Sequence, residues 1–355
     1  MESWRNAIFV GDCLHVATAL AKNHDKGIKL IYLDPPFFTD TDYSLKLKTG
    51  NSEKRAPVLS ERSTYTDKWE GGLEQYLVFL RERLAAMKPL LKDDGSIWLH
   101  LDWHVSHYAR VLMDEVFGRA NFVNEIVWRR TNSPKAQSKG FGSQHDTILV
   151  YARDKGKFKV KPVYMKHDEK SLRPYMYADE RGRFRLIEIE AQGIQRSQHR
   201  KQFEWHGRTA PYLYRQETLD EWWEQGIIYR SKNGRYSKKQ YFDDVPGIPV
   251  SDLWLDIPPV QGSSKEYMGF ITQKPEALMT RIIACTSNLG DIVADFFAGT
   301  GTTAVAAEKT GRRWIVCDSS EVAVQIMKRR LSELANEETG LEVSREGSGF
   351  ALVRA

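Results

Sequence analysis

Two short segments carry the residue types best suited to chemistry in this 355-residue chain. Near the start, Asp34-Pro35-Pro36-Phe37 follows the apolar run Ile28–Leu33. Successive prolines lack an amide N–H and hold φ at about −65°, so their carbonyls project rigidly. A carboxylate and a fixed carbonyl, each accepting one N–H of an amine, draw a planar nitrogen toward tetrahedral geometry and aim its lone pair. Asp34 and the Pro35 carbonyl can supply that pair, and Phe37 offers a face on which an aromatic ring can stack. As such a nitrogen attacks an electrophile its acidity rises, so Asp34 can take the proton directly or through water.

Near the end, Asp295-Phe296-Phe297-Ala298-Gly299-Thr300-Gly301-Thr302-Thr303 follows the apolar Ile292-Val293-Ala294. Glycines placed just after a strand allow a sharp turn and close approach of the backbone to a ligand, and the following helix presents free N–H groups. Asp318, with Ser319 behind it, ends the next strand, where Rossmann-like sheets place an acid that accepts ribose hydroxyls. A dinucleotide fingerprint needs a third glycine, and position 304 is alanine; no Gly-Lys-Ser/Thr follows to make a P-loop.

These segments, with Gly11-Asp12 ahead of the first and Thr272-Gln273-Lys274-Pro275 ahead of the second, resemble the permuted, beta-class amino-group DNA methyltransferases. In that class the amine motif precedes the S-adenosylmethionine motif, and a DNA-reading segment lies between. The resemblance runs from Gly11 to about Leu331, with Phe296 in place of a usual proline and Thr300 in place of a usual serine. It implies Asp34, Pro35, Pro36 and Phe37 as catalytic residues and S-adenosyl-L-methionine as cofactor. Asp12 would meet the adenine amine and Lys274 the amino-acid carboxylate. Asp295, Phe297, Ala298, Gly299, Thr300, Gly301, Thr302 and Thr303 would form the turn, and Asp318 and Ser319 would lie at the ribose. The implied reaction is direct methyl transfer to a base flipped out of double-stranded DNA, without a covalent enzyme intermediate. The aspartate form of the motif points to N6 of adenine; N4 of cytosine is the alternative, and a non-catalytic DNA-binding module is a third reading. RNA and protein-glutamine methyltransferases use a related motif but place the glycine-rich segment first.

Positioning these motifs falls to strands alternating with amphipathic helices, which argues for an α/β, Rossmann-like methyltransferase fold: a mostly parallel twisted sheet with helices on both faces. The apolar runs 7–10, 28–33, 96–101, 122–129, 147–151, 292–295 and 314–317 read as strands. A polar loop is expected from Thr39 to about Lys68, and Asp93-Asp94-Gly95 reads as a turn. Helices are expected through Leu73–Leu84, through Val105, Tyr108, Val111, Leu112 and Val116, and from Pro275 as first helical residue. The domains expected are an amine-motif half at 1–153, a target-recognition insertion at 154–250, a cofactor-binding half at 251–335 and a polar tail at 336–355.

The composition, 41% apolar with a formal charge of +5, supports one large core and a smaller lobe. Basic residues concentrate between Arg129 and Arg173, where Arg129, Arg130, Lys135, Lys139, Arg153, Lys155, Lys157, Lys159, Lys161, Lys166, Lys170 and Arg173 face only Asp146, Asp154, Asp168 and Glu169. That predicts a local positive field suited to phosphates. Further on, Arg181, Arg183, Arg185, Arg196, Arg200, Arg208, Arg215 and Arg235 interleave with Trp205, Tyr212, Trp222 and Trp223. Cys13, Cys285 and Cys317 have no metal-ligand spacing, and none follows a proline as the nucleophile of cytosine-C5 methyltransferases does. No metal is expected. With neither a leader pattern nor a membrane-length apolar run, the expectation is a cytoplasmic protein without membrane contact. A separate cognate restriction endonuclease is the protein partner implied by the resemblance, and related enzymes are often homodimers.

Overall fold

A computed structural model describes residues 6–23, 27–48, 58–131, 140–191, 202–270, 272–339 and 350–354. Lys135, Lys139, Arg196 and Arg200 lie outside the described residues, as do 340–349 and 355 of the expected tail. The chain forms two compact units, one from residues 1–163 with 251–355 and one from 164–250. Residues 154–163, expected in the insertion, therefore belong to the first unit.

The first unit is built on a nine-stranded sheet. Its strands in chain order are β1 (Asn6–Val10), β2 (Ile28–Leu33), then, after a separate hairpin of β3 (Asp42–Lys48) and β4 (Val58–Thr66), β5 (Leu91–Leu101), β6 (Phe122–Arg129), β7 (His145–Ala152), β8 (Leu253–Trp254), β9 (Ile292–Asp295), β10 (Arg313–Asp318) and β11 (Phe350–Arg354). The spatial order is β8-β6-β7-β5-β2-β9-β10-β1-β11. Only β7 runs antiparallel to its neighbours; every other pairing is parallel. Central parallel strands are covered on both faces, and β2 and β9 are accordingly buried at every position.

Helices α1 (Cys13–Asn23), α2 (Gly72–Met87), α3 (Ser106–Phe117), α4 (Glu276–Thr286), α5 (Thr302–Lys309) and α6 (Glu321–Thr339) accompany it. In α2 the buried residues Tyr76, Leu80, Leu84 and Met87 recur at helical spacing and join a core that includes Leu33, Leu99 and Phe296. The α3 stripe sits one position away from the expected one. Val105, Ala109, Leu112, Met113 and Phe117 are buried, whereas Tyr108 and Val111 are exposed.

Four further expectations are corrected. The expected loop from Thr39 to Lys68 holds the antiparallel pair β3 and β4. Asp93-Asp94-Gly95 is no turn but lies within β5, where the register with β2 slips between Ile28 and Leu30 and Gly95 is crowded by the Lys92 and Ile28 carbonyls. The tail contributes β11, which pairs in parallel with β1, and Pro275 is the N-cap of α4 rather than its first residue. Much of the basic run is tied down within the first unit: Lys155 and Lys161 donate to the carbonyls of Phe122 and Ser287, and Lys157 pairs with Asp93. All three cysteines are buried and unbridged, and burial pushes the Cys13 and Cys285 thiols up to about 11 and about 12. Among the described residues no helix is long and apolar enough to cross a membrane.

The second unit has a four-stranded antiparallel sheet in the order 228–230, 236–241, 182–188, 177–179. Trp205, Tyr212, Leu219 and Tyr236 form its core. Arg208 is held by both oxygens of Glu190 and Arg181 by those of Asp244, which leaves Arg173, Arg183, Arg215 and Arg235 among its exposed cations. Its first strand, Tyr164–Met165, pairs antiparallel with its last, Ile248–Pro249.

Leu99 on β5 is fully buried in the main core. Leu99→Ala is expected to cost about 2–5 kcal/mol of unfolding free energy, measured by urea denaturation.

Candidate active site

Four adjacent parallel strands each deliver an aspartate at the carboxyl end: Asp34 follows β2, Asp295 ends β9, Asp318 ends β10 and Asp12 follows β1. The register sets Ile31 beside Ala294 and Tyr32 beside Asp295, so segments far apart in sequence meet at one edge of the sheet. Ligands of open α/β sheets bind at such carboxyl ends. A cavity of about 310 Å³ opens there. Its lining includes Asp34, Pro35, Pro36 and Phe37 from the first motif and Asp12, Lys274, Asp295, Phe297, Ala298, Gly299, Thr300, Thr302, Thr303, Asp318 and Ser319 from the second group.

Gly301 is the one candidate that does not line it. Its φ of 79° is one that L side chains rarely adopt, and a Cβ there would lie 2.3 Å from Met327 Cγ on α6, so packing and not a ligand demands glycine. Gly299 is the opposite case: φ is 51° and a Cβ would meet nothing within 4 Å. Beneath the turn, buried Arg330 donates to the Thr300 carbonyl at 2.9 Å.

Each aspartate has its own partners. Asp12 accepts from the Leu14 N–H at the start of α1 and pairs with Arg83 at 2.6 Å. The Gly299 and Ser320 amides donate to opposite oxygens of Asp318, each at 2.8 Å. Burial still raises Asp318 above the usual carboxylate range, against those two bonds. Asp295 is buried, accepts from Thr303 Oγ1 at 2.5 Å and from the Phe297 N–H at 2.9 Å, and is nevertheless pushed up to about 7, chiefly by burial with the charges of Asp34 and Asp318 adding. Lys274 Nζ bridges both oxygens of Asp34 at 2.7 and 2.6 Å, so this lysine, expected at a ligand carboxylate, is held by a protein one.

The loop after Asp34 is fixed from several sides. Tyr76 donates its hydroxyl to the Pro36 carbonyl at 2.8 Å, while no described residue donates to that of Pro35. Phe37 stacks on the His100 ring, with centroids 6.0 Å apart and planes 20° from parallel. His100 is itself wholly buried, bonded through Nδ1 to the Tyr32 hydroxyl and through Nε2 to Asp146. Burial alone would raise Asp146, but the His100 contact, with Lys274 and Arg130, holds it below the usual carboxylate range. Sequence reasoning missed Asp67, Tyr76, Arg83 and His100. Tyr76 and Arg83 lie in a plain amphipathic helix and His100 within an apolar strand, and Asp67 falls in a stretch read as loop.

Residues 28–329 match the family model described as DNA methylase. The chain belongs to that family. Among curated DNA methylase relatives, the type II methyltransferase M.EcaI of Enterobacter cloacae is 32% identical over 86% of this chain and 65% of its own length. The StyLTI Mod subunit, from a type III restriction-modification enzyme of Salmonella typhimurium, is 26% identical over 96% of this chain and 56% of its own length. The chain thus spans less than two thirds of either relative. Among solved structures, the M1.HpyAVI complex with SAM has a TM-score of 0.47 at 17% identity, covering 92% of this chain and 98% of the other. The cytosine-N4-specific PvuII DNA methyltransferase has 0.48 at 14%, covering 98% and 95%.

Because Asp295 lies above its ordinary value when folded, the native state keeps a proton that the unfolded chain has released between about pH 4 and 7, and stability falls as pH rises through that window. Asp295→Asn removes the ionisation at nearly constant volume. The melting temperature of the variant minus that of the wild type is expected to increase across the window and level off above it, as followed by circular dichroism in a pH series.

Proposed function

We propose that this chain is a site-specific DNA methyltransferase of the permuted arrangement, moving a methyl group from S-adenosylmethionine to the N6 amine of adenine in duplex DNA. The single observation that carries this reading is the shared cavity, in which the Asp34-Pro35 pair and the Gly299 turn lie at the ends of neighbouring strands.

The cavity suits that cofactor on its own terms. Four aspartates against Arg83 and Lys274 leave the lining acidic, which favours a ligand carrying a sulfonium and an ammonium. Each Asp318 oxygen accepts one amide and retains a lone pair for a ribose hydroxyl. Phe297 and Phe270 add apolar surface for a purine, and Asp12 is the acid nearest the start of α1. When bound, S-adenosylmethionine supplies an electrophilic methyl group.

The protein's own part is to prepare the amine. Asp34 and the Pro35 carbonyl accept its two N–H bonds, and the Pro36 carbonyl stays with Tyr76. Lys274 orients the Asp34 carboxylate, whose oxygens can each accept a second hydrogen bond. Phe37, braced from behind by His100, stacks the extruded base, a contact worth about 1–3 kcal/mol. Asp34 then receives the amine proton. The unit at 164–250 is the target-reading element, with Arg173, Arg183, Arg215 and Arg235 available to phosphates and bases. A separate endonuclease and a second copy of the chain are the protein partners this reading carries, with the cytoplasm as its compartment.

The test is incubation of unmethylated genomic DNA with labelled cofactor, followed by hydrolysis to nucleosides. N6-methyladenine is the expected product; N4-methylcytosine alone would reassign the base, and no transfer would remove the activity. Asp34→Ala is expected to lower kcat by at least about 100-fold with cofactor affinity, read by calorimetry, nearly unchanged.

A further inference from the structure

We infer that Asp67 is a positioning residue for this reaction, holding the backbone that carries Pro35 and Phe37 although it touches neither cofactor nor base. The inference rests on the proposed methyl transfer. Asp67 follows β4, is 1% exposed and does not line the cavity. Its carboxylate is nevertheless saturated by the catalytic loop. Oδ2 accepts the Phe37 N–H at 3.2 Å, the Thr39 N–H at 2.7 Å and the Thr39 hydroxyl at 2.7 Å. Oδ1 accepts the Phe38 N–H at 3.0 Å and the Trp69 indole N–H at 3.1 Å.

Three consecutive backbone amides thus wrap one buried anion, the arrangement by which a short peptide forms an anion-binding concavity. Convergence of these amides accompanies an unfavourable backbone. Phe38 and Asp40 have φ of 61° and 54°, in the left-handed region that non-glycine residues keep only where surrounding contacts over-determine them. Asp67 is that contact for Phe38. With the chain so bent, the Phe37 ring lies on His100 and the Pro36 carbonyl meets the Tyr76 hydroxyl, which leaves the Pro35 carbonyl to the amine. The hairpin β3 and β4 links the two ends of this clamp, and the Asp67 N–H donates back to the Thr41 carbonyl at 3.0 Å.

Asp67→Asn preserves volume but turns one acceptor into a donor. In either amide orientation an N–H2 group then faces existing donors: the Phe37 and Thr39 groups on one side, or Phe38 and Trp69 on the other. The experiment compares wild type with Asp67→Asn in three measurements: kcat on genomic DNA, S-adenosylmethionine Kd by calorimetry, and amide hydrogen exchange across residues 37–39. The expected result is a fall in kcat of about 100-fold, the usual consequence of displacing reacting groups by about 1 Å, with unchanged cofactor Kd and faster exchange at those three amides. Wild-type kcat, unchanged exchange, or cofactor affinity falling in step with kcat would overturn the inference, the last by revealing a general loss of structure. Failure of the proposed function has a different signature: a wild-type chain that transfers no methyl group while its 37–39 amides are protected overturns the catalytic role together with that function, and leaves the clamp as architecture alone.

Discussion

Four carboxyl groups converge on one cavity because four neighbouring parallel strands each place an aspartate at or just beyond the carboxyl end, and the rest of the site is arranged to hold them there. A carboxylate withdrawn from water needs hydrogen-bonding or charged partners, so each group has its own remedy. Asp34 takes an ammonium, Asp12 a guanidinium, Asp318 two backbone amides, and Asp295 a hydroxyl, an amide and a raised affinity for its proton. The remedies come from five different places: the segment before α4, helix α2, the glycine turn itself, the first turn of α5 and the residue before α6. Removing the Lys274 or Arg83 contact leaves Asp34 or Asp12 without its cation.

The same economy governs the loops. At the glycine turn, one glycine serves the open cavity and the other serves helix packing, although both sit in one motif. Around the Asp34 loop, rigidity comes partly from covalent structure, through two prolines, and partly from side chains far away in sequence: Asp67, Tyr76 and His100. Preorganisation of this kind places hydrogen-bond acceptors before a substrate arrives, so that none of the reorganisation falls on the reacting step.

What the sequence made legible follows from range. Ile28–Leu33 and Phe122–Arg129 are readable to the residue as strands because each is an apolar-rich run between clear breaks. Asp34, Asp295 and Asp318 are readable because each terminates such a run. Partner choice is not readable: nothing local says that Lys274 bridges Asp34, that Gly301 faces Met327, or that His100 lies between Tyr32 and Asp146. The β3 and β4 hairpin escaped because its strands pair only with one another, outside the main sheet, and their sequences carry no apolar run to announce them. The strand at 350–354 escaped because its partner lies at the opposite end of the chain.

The unit at 164–250 enters and leaves through paired strands, Tyr164–Met165 against Ile248–Pro249, and closes around a core of its own. Its two connections to the remainder of the chain therefore depart side by side. A module attached in that way can be lengthened, trimmed or exchanged by recombination without retuning the register of any sheet strand. Under the proposed function, what is recognised could then be diversified on one evolutionary clock and the cavity residues on another.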